Sequence, residues 1–205
     1  MNDEVPKIPV FMQQMAETIT KTAGSLNLDQ MSAFFQVVVS AKRVYVAGAG
    51  RSGFIAKAFG LRLLHLGYDV YVVGETITPA LHAGDTMVVF SGSGETQSMV
   101  SISGMVKDLG GTVCLITASS DSKISKIADC IVNLGDLTGY YRKDRSPFEI
   151  RQLTGEYRSV STAFAPLGTL FETLALVFSD AVISGLIEVK KAEISDMQRR
   201  LANTE

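Results

Sequence analysis

The stretch that decides the fold is residues 84–111, GDTMVVFSGSGETQSMVSISGMVKDLGG. Thr86 to Phe90 is a short β-rich apolar run, long enough for a buried strand. After Gly94 the period changes, and Met99, Ile102, Met105, Val106 and Leu109 fall at helical spacing. Between strand and helix stand Ser91, Gly92, Ser93, Gly94, Glu95 and Thr96. The glycines let backbone N–H groups approach a ligand, and the new helix points its unpaired N–H groups the same way. Three hydroxyls add further donors, so the pattern describes an anion site. The competing reading is an ordinary helix cap by Ser91 or Ser93, but a cap needs only one hydroxyl. No Lys follows the glycines as it does in G-x-x-x-x-G-K-[ST], so a monoester phosphate is expected rather than a nucleotide.

Working outward, the 205 residues suffice for one core and one domain. A hydrophobic content of 46% with 20% charged residues is globular, not disordered. The net charge of −2 offers no electrostatic case for nucleic acid or an anionic membrane. Cys114 and Cys130 lie in apolar runs and read as reduced core thiols of a cytoplasmic protein, not as a disulfide or metal site. The start, MNDEVPKIPVF, shows no signal-peptide pattern. The apolar run 174–187 is interrupted by Asp180 and reads as too short to span a bilayer. A mean hydropathy of +0.22 suggests that apolar helix faces are buried between subunits.

Two helices are expected first, at 9–24 and 28–41, broken by Gly24-Ser25, with Asn27 or Asp29 capping the second. Strands are expected at 43–47, 69–73, 86–90, 112–117 and 131–134. Helices are expected at 53–66 and after Gly94, with a short one at 123–128. Short β-branched runs without alternation, separated by helical patterns, mark a parallel sheet buried on both faces. Residues 136–163 hold three of the six tyrosines and few aliphatics, and read as a long exposed connection in which Tyr140, Tyr141 and Arg142 could form a lid. Helical periodicity returns at 166–203, the second part more polar. The expectation is a single domain over 1–205, with N-terminal helices 9–41, sheet core 43–135, the connection, and C-terminal helices.

A second glycine loop follows the first strand: Gly48-Ala49-Gly50-Arg51-Ser52-Gly53. It fits G-x-G-x-x-G, and Glu75 lies where a ribose-binding acid would sit, so a dinucleotide fold competes. In a sheet of order 2-1-3-4-5, however, the loops after strands 1 and 3 line one cleft from both sides. That accounts for both loops, whereas a dinucleotide site leaves 91–96 unexplained. Arg51 either adds charge to the phosphate site or is an exposed loop arginine.

With both loops in hand, the chain resembles a sugar isomerase (SIS) domain, and within that superfamily the 6-phospho-3-hexuloisomerases. The residues carrying the likeness are GAGRSG at 48–53, RLLHLGYDVYVVGETITP at 62–79, SGSGET at 91–96 and PLGTLFET at 166–173. The resemblance implies a three-layer α/β/α sandwich with a five-stranded parallel sheet of flavodoxin-like order 2-1-3-4-5. It also implies a homotetramer with sites shared between subunits, no metal or other cofactor, and interconversion of 3-hexulose 6-phosphate with fructose 6-phosphate. Family members join the fifth strand to the last helix by a shorter link than 136–163. Position by position, Ser91, Ser93 and Thr96 resemble the phosphate-binding hydroxyls, with Gly92, Gly94 and Glu95 in the same loop. Gly48 and Ser52 resemble the opposite wall, with Arg51 between them. Glu172 resembles the base, and His65 the histidine supplied to a neighbouring subunit's site.

The residue types suit that chemistry. Moving a carbonyl between C3 and C2 through a cis-enediol needs one base on one face of the sugar. Proton traffic between the two oxygens needs a group that donates and accepts, as neutral His does. Each candidate also has a plainer explanation. His65 lies in the last turn of its helix, where it could bond free carbonyls. Glu95 could hold its loop by bonding N–H groups at the helix start. Thr169-Leu170-Phe171-Glu172 matches a capping box. Two other functions remain open at this point: another phosphosugar isomerase, acting on an arabinose or heptose phosphate, or a non-catalytic phosphosugar sensor, although the chain leaves no room for an attached DNA-binding module.

Overall fold

A computed structural model describes residues 7–135, 169–191 and 193–201. The expected connection 136–163, with Tyr140, Tyr141 and Arg142, lies outside the described residues. In chain order the elements are α1 (Ile8–Ser25), α2 (Leu28–Ser40), β1 (Arg43–Gly48), α3 (Arg51–His65), β2 (Asp69–Val72) and β3 (Thr86–Phe90). They continue with α4 (Gln97–Asp108), β4 (Thr112–Thr117), β5 (Cys130–Asn133), α5 (Thr169–Lys190) and α6 (Ile194–Gln198).

The five strands form one sheet of order β2-β1-β3-β4-β5 in which every pairing is parallel, as expected. Alternate residues of each strand feed two cores. Val44, Val46, Val88, Phe90, Cys114 and Ile116 point toward α2, α3 and α5. Tyr45, Ala47, Met87, Val89, Val113 and Leu115 point toward α4 and Ile124. Both faces of β3 are buried, which is why its sequence shows no polar alternation. The chain therefore crosses to opposite faces after β1 and after β3, and this reversal opens the crevice between their carboxyl ends. The order is not the 3-2-1-4-5-6 of a dinucleotide fold.

Three local expectations are corrected. α1 runs through Gly24-Ser25, and the break falls at Leu26-Asn27, where the Asn27 side chain accepts the Gln30 N–H at 3.0 Å and caps α2. Residues 123–128 form turns rather than a helix. Ser122 and Ser125 exchange side chain to backbone bonds of 2.8 and 3.1 Å, competing with a helical ladder. The third correction concerns α5, whose 22 residues are long and apolar enough to cross a membrane by length and composition. It is a core helix: Leu170, Phe171, Leu174, Ala175, Phe178, Val182, Ile183 and Leu186 are buried against the sheet side of the molecule, with Asp180 on the exposed face. Each of these side chains except Ala175 contributes about 1.5–3 kcal/mol on burial.

Candidate functional site

β1 and β3 are neighbours, and Gly48 stands in register with Phe90, so the loops that follow them emerge side by side. In the first loop the chain turns at Gly50, with φ of 59°, directly into α3. A Cβ on Gly48 would lie 2.7 Å from the Ser52 carbonyl oxygen and 2.9 Å from the Gly53 nitrogen. Only glycine lets the first turn of α3 settle against the end of β1, and that contact sets where Arg51 and Ser52 sit.

The second loop is braced from beneath. The Ser91 N–H donates to the Ile116 carbonyl and the Ala118 N–H to the Gly92 carbonyl, both at 3.0 Å. The Thr117 hydroxyl also donates to the Gly92 carbonyl, at 3.1 Å. Gly94 has φ of 61°, and a Cβ there would fall 2.1 Å from the Ser122 hydroxyl. Within the loop, the Gly94 N–H reaches Ser91 Oγ and the Glu95 N–H reaches Ser93 Oγ, each at 3.2 Å. Neither serine caps α4. The N-cap is Thr96, whose side chain makes no capping bond. The three hydroxyls are thus acceptors or idle within the loop, and their protons remain free to be donated to an anion.

Glu95 is engaged elsewhere. Its Oε1 accepts the Lys123 N–H at 2.8 Å, and its Oε2 lies 3.3 Å from Lys123 Nζ. It ties the second loop to the turn after β4 rather than to the start of α4. Glu75, the ribose-binding candidate, pairs with Lys57 at 2.5 Å.

Glu172 comes to the first loop from the other end of the sequence, on the first turn of α5. Its side chain is 12% exposed, and Oε2 lies 2.9 Å from Arg51 Nε. The two charges touch, yet Oε2 is buried with no hydrogen bond, because the N–H does not point at it. Arg51 Nη1 instead donates to the Thr169 hydroxyl at 3.3 Å. With Thr169 Oγ1 receiving Arg51 and Glu172 Oε2 accepting no hydrogen bond, the carboxylate is not used to close a capping box. Burial pushes the Glu172 carboxyl up to about 7, and Arg51 pulls against that shift. A buried, incompletely partnered carboxyl that ionises near neutrality is suited to taking and returning a proton.

His65 is not brought to this cluster. It ends the 15-residue helix that Arg51 begins, about 20 Å away along the axis. The side chain is 4% exposed, and its buried Nδ1 has no partner among the described residues. Its carbonyl accepts Arg200 Nη1 at 3.3 Å.

Sequence reasoning missed the end of β4 and the loop after it, where Thr117 and Lys123 bond the phosphate-loop candidates and Ser122 lies against Gly94. That loop's run of serines at the carboxyl end of a strand was the available signal. Among the described residues, no group of His, Cys, Asp and Glu is arranged to hold a metal ion. A cavity of about 400 Å³ lies elsewhere, between α1, α2 and α5, and is lined by apolar side chains such as Ile19, Phe35 and Leu174. It offers a phosphate nothing.

Comparison with known proteins bears on this arrangement. The SIS domain family model matches residues 38–135. The 3-hexulose-6-phosphate isomerase of Bacillus subtilis is 34% identical, over 97% of this chain and the whole of that protein. An uncharacterized protein of Archaeoglobus fulgidus is 37% identical over 94% of this chain and 97% of its own. Among solved structures, a Methanococcus jannaschii protein described as inferring a 3-hexulose-6-phosphate isomerase function superposes with a TM-score of 0.76. It is 25% identical, with 95% of this chain and 98% of that one covered.

Proposed function

This chain belongs to the SIS domain family, and we propose that within it the protein interconverts fructose 6-phosphate and the corresponding 3-hexulose 6-phosphate. The observation that carries the reading is Glu172, buried and without a hydrogen bond at Oε2 beside Arg51 of the first glycine loop. The phosphate lies on the 91–96 loop, receiving hydroxyl protons from Ser91, Ser93 and Thr96 and N–H groups from the start of α4. Gly92 and Gly94 keep that loop's backbone accessible, Glu95 anchors it, and Gly48, Arg51 and Ser52 form the facing wall. Glu172 removes the proton from C3 of fructose 6-phosphate. The electron pair forms the C2–C3 double bond of a cis-enediol, and the C2 carbonyl oxygen takes a proton. Collapse from the C3 hydroxyl returns the proton from Glu172 to C2 and leaves the carbonyl at C3. A nicotinamide or metal is not needed for this sequence.

Proton transfer between the two oxygens is assigned to His65 of a second copy on the family resemblance; within one chain His65 and Glu172 are a helix length apart. A shared site needs at least two copies, and the resemblance to SIS phosphosugar isomerases makes the proposed assembly a homotetramer. Subunit mixing tests this directly. Glu172→Gln and His65→Asn homomers should each be nearly inactive, and co-refolded mixtures should regain activity through sites that combine two intact residues. Mixtures no more active than their parents would contradict shared sites.

The reaction itself is tested by adding fructose 6-phosphate to the pure protein and following ¹³C spectra. A new ketone signal at C3 of a hexulose phosphate is expected. Turnover of arabinose 5-phosphate or a heptose phosphate instead would move the protein to another isomerase of the family. Binding without turnover would make it a sensor.

A further inference from the structure

Arg51 and Glu172 are an unequal pair. The arginine side chain is 56% exposed at the mouth of the first loop, whereas the carboxylate is 12% exposed and fixed on α5. The guanidinium touches Oε2 without hydrogen-bonding it, and its second contact, to Thr169, is long. A planar guanidinium reaches its best geometry on two oxygens at once, and a phosphate dianion on the adjoining loop offers three. With its own side chain more than half exposed and no hydrogen bond to the carboxylate, the guanidinium is held in place chiefly by its long contact to Thr169. The first residue of α3 lies three positions beyond Gly48, which pairs with Phe90 at the foot of the second loop. Arg51 therefore begins its helix close to the strand ends from which the second loop emerges.

We propose that Arg51 is a counter-ion operated by the substrate: it pairs with Glu172 and transfers to the substrate phosphate on binding, leaving the carboxylate unpaired. The inference rests on the reading of Glu172 as the base and adds the device that couples phosphate recognition to it. Among the described residues, Arg51 is the one charge that acts on Glu172. The other charged groups around the loops are paired with each other, Glu95 with Lys123 and Glu75 with Lys57. Arg51 lowers the carboxyl's pKa, so its departure raises it. The carboxylate becomes the stronger base only when a phosphorylated sugar is present. An unphosphorylated sugar leaves the pair intact and meets a weaker base.

The test is the pH dependence of two kinetic parameters, since kcat/KM reports the free enzyme and kcat the complex. In the wild type the acidic limb of kcat should lie about one pH unit above that of kcat/KM. In Arg51→Gln the two limbs should coincide, because neither state has the counter-ion, and KM for the phosphosugar should rise at least tenfold. Arg51→Lys, which keeps the charge, should restore part of the gap. Ionisation of the substrate's own phosphate is common to all three proteins and cancels in the comparison. Coincident limbs in the wild type, or a gap of wild-type size in Arg51→Gln, would overturn the exchange. Failure of the base reading looks different: Glu172→Gln would then isomerise normally whatever the limbs of the Arg51 variants show.

Discussion

Two carboxylates stand at the edge of the crevice, Glu95 on the loop after β3 and Glu172 on the first turn of α5. From type and place alone they are equal candidates for the base. Their partners separate them. Glu95 has both oxygens engaged by Lys123, one through a backbone N–H and one through the ammonium. Glu172 has a buried oxygen that accepts no hydrogen bond and an arginine resting beside it. A carboxylate held on both oxygens is part of the scaffold, and one desolvated without a hydrogen bond is held ready for protonation.

The sharpest way to break this contrast is to make both glutamines at pH 8. Glu172→Gln should lower kcat by about 10²–10⁴, the usual share of a general base. It should not unfold the protein. The native carboxyl ionises near 7 rather than at its ordinary 4.5, so stability from this group is fullest below pH 4.5 and is lost as pH rises through 7. Removing the ionisation should therefore stabilise the protein at pH 8, by up to about 3 kcal/mol at 1.36 kcal/mol per unit. Equal or higher Tm at pH 8, with no gain at pH 4, is the expected melting result. A large loss of Tm would mark Glu172 as structural.

Next in size is the loop itself. Thr96→Val or Ser93→Ala should weaken a phosphorylated sugar by about 1.5–3 kcal/mol, the value of a hydrogen bond to a charged group, and leave its unphosphorylated analogue unchanged. Calorimetric titration with both ligands measures the difference, and equal weakening would assign these hydroxyls to loop structure. Gly94→Ala should cost about 1–3 kcal/mol of stability by chemical denaturation, because it combines a strained φ with a clash on Ser122. Full stability in that variant would contradict the bracing described here. The smallest effect belongs to Glu95→Gln. A glutamine oxygen can still accept the Lys123 N–H, and only an exposed ion pair is lost. Both stability and kcat should change by less than about 1 kcal/mol. A loss in kcat matching that of Glu172→Gln would erase the distinction between the two carboxylates.

How much of this was legible in the sequence follows from what periodicity reports. It records which residues face apolar surroundings, so the five strands could be read from runs such as TMVVF and TVCLIT, whereas the order of the sheet was implied only by the resemblance to the SIS domain. The glycines at 48 and 94 were legible because their positions require close approach or a positive φ. Partners far apart in the chain were not. Arg51 meets Thr169 across 118 residues, and Glu95 meets Lys123 across 28. No local pattern encodes either. The turns at 123–128 imitate a helix in their apolar spacing, but the serine side chains within them compete for the same backbone groups. His65 carries no local sign that its helix points it away from the crevice.

The central claim is that Glu172 carries a proton between C3 and C2 of a ketose phosphate. Incubating fructose 6-phosphate with the protein in D₂O and following the C3 proton by NMR tests it most directly. The wild type should replace that proton with deuterium while a 3-hexulose phosphate accumulates, and Glu172→Gln should slow both processes together by about 10²–10⁴. Exchange at C1 with C3 untouched, or a glutamine variant that exchanges C3 at nearly the wild-type rate, would contradict it.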